Sequence, residues 1–315
     1  MINELLNIKY PIFQGAMANI ATPEFAAAAS EAGCLGIIAT GAMGAEEARA
    51  AVRRCKALTD KPFGVNIMLM NPEADAIAAM LVEERVAAVT TGAGNPGKYL
   101  KAFKAANIRV FPVVASVALA RRLARDGADG IIAEGTESGG HVGEITTMAL
   151  VPQIAQAVDV PVIAAGGIAT GRQLNAALCL GAQGVQVGTC LLLADECPIH
   201  DNYKQAVVRA KDRDTVVTGR SLGAPVRILK NQMTSEYLSL ERQGADRDAM
   251  EALTLGGLRR AVFEGDVKNG SVMMGQVAAM CKDRRPLAEI VDALMTEARA
   301  EISGIEAKWA ALGMK

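Results

Sequence analysis

Histidine is the residue type best suited to acid–base chemistry in this chain, and there are two of them. His141 lies in a glycine-rich stretch, residues 134–143, directly after a short apolar run. A near-neutral pKa lets an imidazole deliver a proton or hydrogen-bond to a developing anion. Glycines on both sides let the side chain project towards a ligand, so we predict that His141 is catalytic. His200 lacks this setting and is interpreted as an ordinary surface histidine.

Two glycine-rich turns are candidates for binding a phosphate group. They are Ala165-Gly166-Gly167-Ile168 and Gly188-Thr189. Glycines allow backbone N–H groups to approach an anion closely, and the amino terminus of a following helix favours negative charge. Each turn follows a predicted strand, and together they predict a phosphate site. FMN and a sugar phosphate would satisfy this pattern equally.

Two further residues at predicted strand ends fit a flat heterocycle. A buried amide such as that of Asn66 presents both a donor and an acceptor to a flavin pyrimidine edge. The polarizable sulfur of Met17 packs well beside an aromatic ring. For each residue alone, ordinary core packing is the alternative interpretation.

The elements that position these residues follow an alternating pattern of apolar runs and Ala-rich helical segments. Eight strands are predicted, at 10–17, 35–40, 62–69, 87–92, 109–114, 130–135, 161–167 and 184–189. Helices are predicted between them, at 23–33, 45–57, 73–84, 96–106, 117–126, 146–157 and 170–180. Such a series indicates a parallel sheet covered on both faces. Its even spacing favours an α/β fold of the closed (β/α)8 barrel type over an open doubly wound sheet.

The pattern changes after residue 195. We predict a barrel over 1–195, a small inserted domain near the barrel mouth over 196–269, and a segment over 270–315 that packs back on the barrel. The last segment contains a predicted amphipathic helix at 286–311.

Composition excludes several classes of function. The net charge is −1, which gives no reason to expect nucleic acid or an anionic membrane as a partner. The six cysteines show no metal-binding spacing and are interpreted as reduced, mostly buried thiols. Neither a signal peptide nor an apolar run of membrane-spanning length is recognised, so we expect a cytoplasmic protein.

One motif is misleading. Residues 92–97 match G-x-G-x-x-G after a predicted strand, but the acidic residue expected about 20 positions later in a dinucleotide fold is missing. We interpret this stretch, which includes Asn95, as a loop at the barrel mouth.

Several longer stretches carry a family resemblance over nearly the whole chain. They are YPIFQGAMA at 10–18, DKPFGVNIML at 60–69, VTTGAGNPGKY at 89–99, IAEGTESGGHVGEITTMALV at 132–151, PVIAAGGIATG at 161–171, GAQGVQVGT at 181–189 and GDVKNGSVMMGQVA at 265–278. The chain thereby resembles the FMN-dependent enoyl-acyl carrier protein reductase II family, within the nitronate monooxygenase superfamily. This resemblance implies a barrel with non-covalent FMN, NADH or NADPH as co-substrate, a monovalent cation of unassigned ligands, and a homodimer.

The resemblance also assigns residues. It implies that His141 is the catalytic histidine and that FMN is bound by Ala16, Met17, Asn66, Glu134, Gly139, Gly140, Ala165, Gly166, Gly167, Gln186, Gly188 and Thr189. It places on the substrate side Asn95, Ser271, Met273 and Gly275.

The expected reaction is reduction of a trans-2-enoyl thioester carried by acyl carrier protein. Independently, residues 203–230 carry seven basic side chains that predict a rim attracting an acidic carrier. They are Lys204, Arg209, Lys211, Arg213, Arg220, Arg227 and Lys230. Two alternatives stay open: oxidation of alkyl nitronates by O2 on the same barrel, and a non-redox phosphate-binding barrel enzyme.

Overall fold

The computed structural model describes residues 1–313 and contains a barrel of eight parallel strands. These strands are β1 (Ile12–Gln14), β2 (Gly36–Ala39), β3 (Phe63–Met68), β4 (Ala88–Gly92), β5 (Arg109–Val114), β6 (Ile131–Glu134), β8 (Val162–Ala165) and β9 (Gly184–Val187). A two-residue strand, β7 (Gly140–His141), lies in the loop after β6. The predicted (β/α)8 barrel is confirmed, and each predicted strand contains the observed one.

The barrel closes between its first two strands. The sheet runs in the order β1-β9-β8-β6-β5-β4-β3-β2, and Phe13 of β1 forms a parallel bridge with Leu35 beside β2. The Leu35 carbonyl accepts from the Gln14 amide at 3.0 Å, and the Leu35 amide donates to the Ile12 carbonyl at 2.9 Å. All eight carboxyl ends therefore meet around one mouth.

Helices cover the outside of the barrel. Seven of them follow strands, namely α2 (Pro23–Glu31), α3 (Ala45–Leu58), α4 (Ala74–Glu84), α5 (Gly97–Ala105), α6 (Val117–Asp126), α7 (Thr147–Ala155) and α8 (Gly171–Cys179). Thr22 caps α2 by accepting from the Phe25 amide, and Pro23 occupies the first turn. Three glycines just after the ends of α2, α6 and α8 take positive φ angles, which favour glycine at that position, namely Gly33, Gly127 and Gly181.

The barrel interior is filled by apolar side chains below the mouth. Phe13 and Phe111 meet edge to face at 5.3 Å between ring centres. The first helix, α1 (Ile2–Leu6), closes the opposite end, because Ile2 and Leu6 belong to the same buried cluster. Polar inward-facing residues such as Asn66, Glu134 and Gln186 lie near the carboxyl ends of the strands.

Residues 196–269 contain a second, smaller set of elements. They are α9 (Asp201–Arg209), β10 (Thr215–Thr218), β11 (Val226–Leu229), α10 (Gln232–Arg242), α11 (Arg247–Thr254) and α12 (Gly257–Arg259). Strand β11 pairs with β10 and with β7, so this region is joined to the loop after β6. We call the three-stranded sheet β10-β11-β7 the ribbon. The region has a small hydrophobic cluster around Met233 and Tyr237, while α9 packs into the main core through Tyr203. The division of the chain at 195 and 269 stays a prediction.

The last helix, α13 (Leu287–Ala311), corresponds to the one predicted at 286–311. Its first half packs against α8 and buries Val291, Leu294 and Ala298, whereas its second half is largely exposed. Of the six free cysteines, five are buried and Cys179 is exposed. Within residues 1–313, no helix has the length and apolar character needed to cross a membrane.

Candidate active site

The mouth of the barrel carries a row of polar side chains on adjacent strands. Asn66 of β3 lies opposite Thr90 of β4 in the strand register and donates to its hydroxyl at 3.0 Å. Both side chains are buried, so this bond fixes the Asn66 amide at the end of the barrel interior. The side-chain oxygen Oδ1 of Asn66 accepts no hydrogen bond within residues 1–313, which leaves an acceptor available to a ligand, whereas its backbone carbonyl accepts from Thr40.

Three of the predicted FMN-binding residues lie side by side in a second row. Glu134, Ala165 and Gln186 are register partners on β6, β8 and β9, so all three side chains point to the same face of the sheet. Ala165 adds little bulk between the two polar residues. The row therefore places a carboxyl group and an amide on either side of a small residue at the mouth.

Glu134 is the strongly perturbed acid of this row. Ser138 donates to one carboxyl oxygen at 2.8 Å, and the other oxygen has no hydrogen-bond partner in the described part of the chain. Burial raises the pKa of Glu134 to about 7, and the Ser138 hydrogen bond opposes this only in part. Near neutral pH the carboxyl group is therefore present in both its neutral and its ionised form.

The first phosphate-binding turn adopts a conformation that favours glycine. Gly166 and Gly167 have φ angles of 89° and 77°. Such angles are rare for residues with a side chain. A Cβ atom on Gly166 would also lie 2.7 Å from the Gly135 carbonyl oxygen. The amide of Gly167 donates to no protein acceptor within residues 1–313 and is free to bind an anion.

Thr189 begins a 3-10 helix, Thr189–Leu193, at the second turn. Its hydroxyl oxygen accepts from the Gly275 amide at 2.9 Å, so one lone pair is used by the protein. Its own amide donates to no acceptor in the described residues. Gly188 lies close to the sulfur of Met17, which would be 3.6 Å from a Cβ atom at that position. Met17 is thus placed beside the second turn, and Ala16 packs against the barrel interior.

Glu137 and Thr147 support the first turn. The Glu137 carboxylate accepts from the Thr147 amide at 2.9 and 3.0 Å and from the Thr147 hydroxyl at 3.0 Å. The amino terminus of α7 thus stabilises the negative charge of Glu137. The Thr147 hydroxyl also contacts the Gly166 carbonyl oxygen at 2.8 Å. Thr147 therefore links the loop after β6 to the phosphate-binding turn.

The two glycines before His141 have backbone roles. A Cβ atom on Gly139 would lie 2.6 Å from the Met274 carbonyl carbon, so only glycine lets the chain segment at 271–276 pass at this distance. Gly140 has a φ angle of 81°, which turns the chain into β7. The structure gives both glycines a reason to be present that does not depend on FMN.

His141 is held by the ribbon. It is the register partner of Val226 on β11, and its side chain is exposed at the barrel mouth. Neighbouring protein atoms remove enough water from the ring to lower the pKa of His141 below its usual value. A neutral imidazole, with one donor and one acceptor, is therefore favoured near neutral pH. The second histidine, His200, instead caps α9 by accepting from the Asn202 amide at 3.0 Å.

The segment 271–276 crosses the mouth between the loop after β6 and Thr189. The sulfur of Met273 would be 3.6 Å from a Cβ atom on Gly140, so this side chain lies next to the histidine loop. Gly275 lies against both Glu137 and Thr189. Ser271 is buried beside Gly257 instead of facing the mouth.

Asn95 lies on the exposed loop after β4. Its side-chain oxygen accepts from the Gly97 amide at 2.8 Å, which closes the turn that starts α5. The structure thus gives Asn95 a local structural role, and a contact with substrate stays a prediction.

The predicted basic rim needs correction. Lys204 is buried and donates to the Ala194 and Asp195 carbonyl oxygens, and Arg227 is buried in the ribbon. Both had been counted in the rim because this stretch of sequence is rich in basic residues, so these two cations are removed from it. Arg209 and Lys211 are exposed as predicted.

No group of three or more His, Cys, Asp or Glu side chains within residues 1–313 is arranged to hold a metal ion. Sequence reasoning assigned no role in this site to Thr90, Glu137 or Thr147, and it placed Arg227 on the rim instead. Each is defined by a partner 10 to 91 residues away along the chain, so its immediate sequence gave no signal.

The comparisons with known proteins agree with this architecture. The nitronate monooxygenase family model matches residues 1–85 and 76–297. The structure of FabK from Thermotoga maritima is 45% identical and superposes with a TM-score of 0.95, covering 98% of each chain. A (3aS,4S,5R,7aS)-5-hydroxy-7a-methyl-1-oxo-octahydro-1H-indene-4-carboxyl-CoA dehydrogenase from Rhodococcus jostii is 30% identical, covering 97% of each chain. A nitronate monooxygenase from Pseudomonas aeruginosa is 33% identical, covering 94% of this chain and 98% of the relative.

Fold and site together define a (β/α)8-barrel oxidoreductase of the flavin-dependent type. The chain belongs to the nitronate monooxygenase family.

Proposed function

We propose that this protein is an FMN-dependent enoyl-acyl carrier protein reductase that uses NADH or NADPH. The observation that carries the proposal is the full-length likeness to FabK at 45% identity, against 33% for the nitronate monooxygenase from Pseudomonas aeruginosa. A second relative, the Rhodococcus jostii dehydrogenase, is named for a CoA thioester, which supports a thioester as the substrate class.

The residues present fit FMN. The positive φ angles of Gly166 and Gly167 leave the Gly167 amide without a protein acceptor, and this amide and that of Thr189 suit a phosphate. The row of Glu134, Ala165 and Gln186 would present a carboxyl group and an amide to the polar edges of a flat ring. Bound FMN would supply two-electron hydride chemistry between the nicotinamide and the enoyl substrate.

His141 would act on the thioester. Negative charge develops on the thioester oxygen when a hydride reaches the β-carbon. A neutral imidazole would donate its N–H as a hydrogen bond to that oxygen, whereas delivery of a proton to the α-carbon would require the imidazolium form and would leave neutral imidazole behind. The lowered pKa of His141 suits a donor that must be neutral while it hydrogen-bonds a developing enolate.

The remaining assignments are proposals of the same kind. Arg209 and Lys211, both exposed, would attract an acidic carrier protein. NADH or NADPH would be the co-substrate, a monovalent cation would stimulate the enzyme, and the protein would be a homodimer. Met273 and Gly275 lie where the acyl thioester would approach His141.

A second candidate function is oxidation of alkyl nitronates by O2. It is favoured by the match to the nitronate monooxygenase family model over most of the chain. It would use the same mouth and the same histidine, without NADH.

The deciding experiment compares two assays on the purified yellow protein. One follows NADH consumption with a crotonyl thioester under anaerobic conditions, and the other follows O2 consumption with an alkyl nitronate and no NADH. Thioester-dependent NADH loss without oxygen is the expected result. Oxygen consumption with nitronate and no thioester activity would replace the proposed function by the second candidate.

A further inference from the structure

Arg227 is a buried cation that the proposed reaction does not use. It is only 6% exposed, and within residues 1–313 its guanidinium forms no ion pair. Removing a charged group from water costs several kcal/mol unless hydrogen bonds or counter-charges compensate. The contacts that Arg227 makes must therefore offset this cost.

Those contacts bridge the ribbon and the loop of His141. The Arg227 Nε donates to the Thr136 carbonyl oxygen at 3.0 Å, and Nη1 donates to the Thr215 hydroxyl on β10 at 3.1 Å. Glu137 is close enough to attract the guanidinium, and Arg220 to repel it. A planar guanidinium provides two donors in fixed directions, which a lysine ammonium on a flexible stem does not.

The loop that Arg227 contacts is closed at its base. The Thr136 amide donates to the Ile145 carbonyl at 2.9 Å, so residues 136–145 form a loop with His141 near its tip. In the ribbon, Arg227 is the register partner of Gly140, and Val226 is the register partner of His141. Strand β11 therefore contacts the tip of this loop through its backbone and the base of the loop through the Arg227 side chain.

We propose that Arg227 is a positioning residue that fixes the orientation of His141 by joining the base of its loop to the ribbon. The effect on turnover rests on the proposed function, because it requires His141 to act on the substrate. The effect on the His141 ring does not, since it concerns the free protein alone.

The test compares Arg227→Met, which keeps the apolar stem, with Arg227→Lys and with Thr215→Val, which removes one acceptor of the guanidinium. Arg247→Met is the matched control, because Arg247 forms an exposed ion pair with Glu251 on α11 and lies outside the predicted basic rim. Each variant is measured as the FMN-loaded protein for kcat and KM per bound FMN. The imidazole resonances are titrated by NMR, where the two histidines give two signals and His200 is the internal reference.

We expect Arg227→Met to lower kcat by about 10- to 100-fold with KM within about threefold, as misplacement of a reacting group by about 1 Å does. The pKa of His141 should rise towards its ordinary value as the loop becomes more hydrated, while the His200 signal stays unchanged. Arg227→Lys should behave like Arg227→Met, and Thr215→Val should show smaller changes in the same direction. Arg247→Met should resemble the parent protein.

The proposal is wrong if kcat and the His141 titration stay at the parent values in Thr215→Val and in either Arg227 variant. It is also wrong if activity falls only in proportion to FMN content, since Arg227 would then support the fold alone. If Arg227→Met does not fold, Arg227→Lys and Thr215→Val decide the question. A shifted His141 titration in a protein without enoyl reductase activity would keep the positioning role and remove the proposed reaction.

Discussion

Glu134 allows a quantitative test of the geometry at the barrel mouth. Its carboxyl group accepts one hydrogen bond, from Ser138, and burial raises its pKa from 4.5 to about 7. A folded-state pKa above the unfolded value means that the folded protein binds this proton more tightly. The resulting stability is complete below pH 4.5 and is lost as the pH rises through 7. The rise of about 2.5 pKa units corresponds to about 3 kcal/mol at most.

Glu134→Gln replaces the ionisable group by a neutral one of the same shape. In protein stripped of flavin, we expect this variant to match the parent near pH 4.5 and to exceed its free energy of unfolding by up to about 3 kcal/mol at pH 8. Urea unfolding followed by far-UV circular dichroism at several pH values measures the difference. Glu306→Gln, at an exposed position on α13, is the control and should show no such pH dependence.

The test depends on how the difference in free energy of unfolding between Glu134→Gln and the parent changes with pH. A constant difference between the two proteins from pH 5 to pH 8 would mean that Glu134 titrates normally and is not desolvated. A parent protein that is more stable than Glu134→Gln at pH 8 would mean that the ionised carboxylate has a partner in solution, which contradicts the single Ser138 contact.

Three further predictions concern the same mouth. His141→Ala should keep FMN, judged by the flavin absorbance of the purified protein, and lower turnover by about 10²- to 10³-fold; unchanged enoyl reduction would remove His141 from the mechanism. Gly139→Ala should destabilise the protein, because its Cβ would lie 2.6 Å from Met274, and a thermal unfolding midpoint equal to that of the parent would contradict this. Reversing Arg209 and Lys211 together to Glu should raise KM for carrier-protein thioesters more than for CoA thioesters, and equal increases for both would exclude a carrier-binding rim.

Much of the barrel could be predicted because its signals are local. Buried parallel strands appear as short apolar runs, and the Thr22-Pro23 pair marks the start of α2 in the sequence itself. Helix ends can be predicted from the sequence in the same way, because a glycine such as Gly127 favours the positive φ angle that it has at the end of α6. The carboxyl ends of the strands then bring Asn66, Glu134 and Gln186 to one mouth, whatever the details of packing.

The polar network around the histidine could not be predicted in the same way. Arg227 was expected on the surface as one of the seven basic residues of the predicted rim, yet it is buried and its partner Thr136 is 91 residues away. Strand β7 has only two residues and is defined by its pairing with β11, so no hydrophobic periodicity in the sequence predicts it. From the sequence alone, Glu137 is an ordinary acidic residue in a loop. In the structure its carboxylate accepts a hydrogen bond from the Thr147 amide in the first turn of α7. In each case the information lies in the partner distant in sequence.

The groups at the barrel mouth come from two parts of the chain, and we expect one part to bind the flavin and the other to contact the acyl substrate. The polar side chains with free hydrogen-bonding capacity, Glu134, Asn66 and Gln186, all come from barrel strands. The region after residue 195 contributes the Met273 side chain and the Gly275 amide beside the histidine loop. A flexible, apolar methionine side chain can adapt to acyl groups of different shapes, but it has no strong polar group with which to orient the flavin ring. Substitutions at Met273 are therefore expected to change the choice of acyl substrate while flavin content stays constant. A loss of flavin with unchanged substrate preference would instead place the ring against the segment at 271–276.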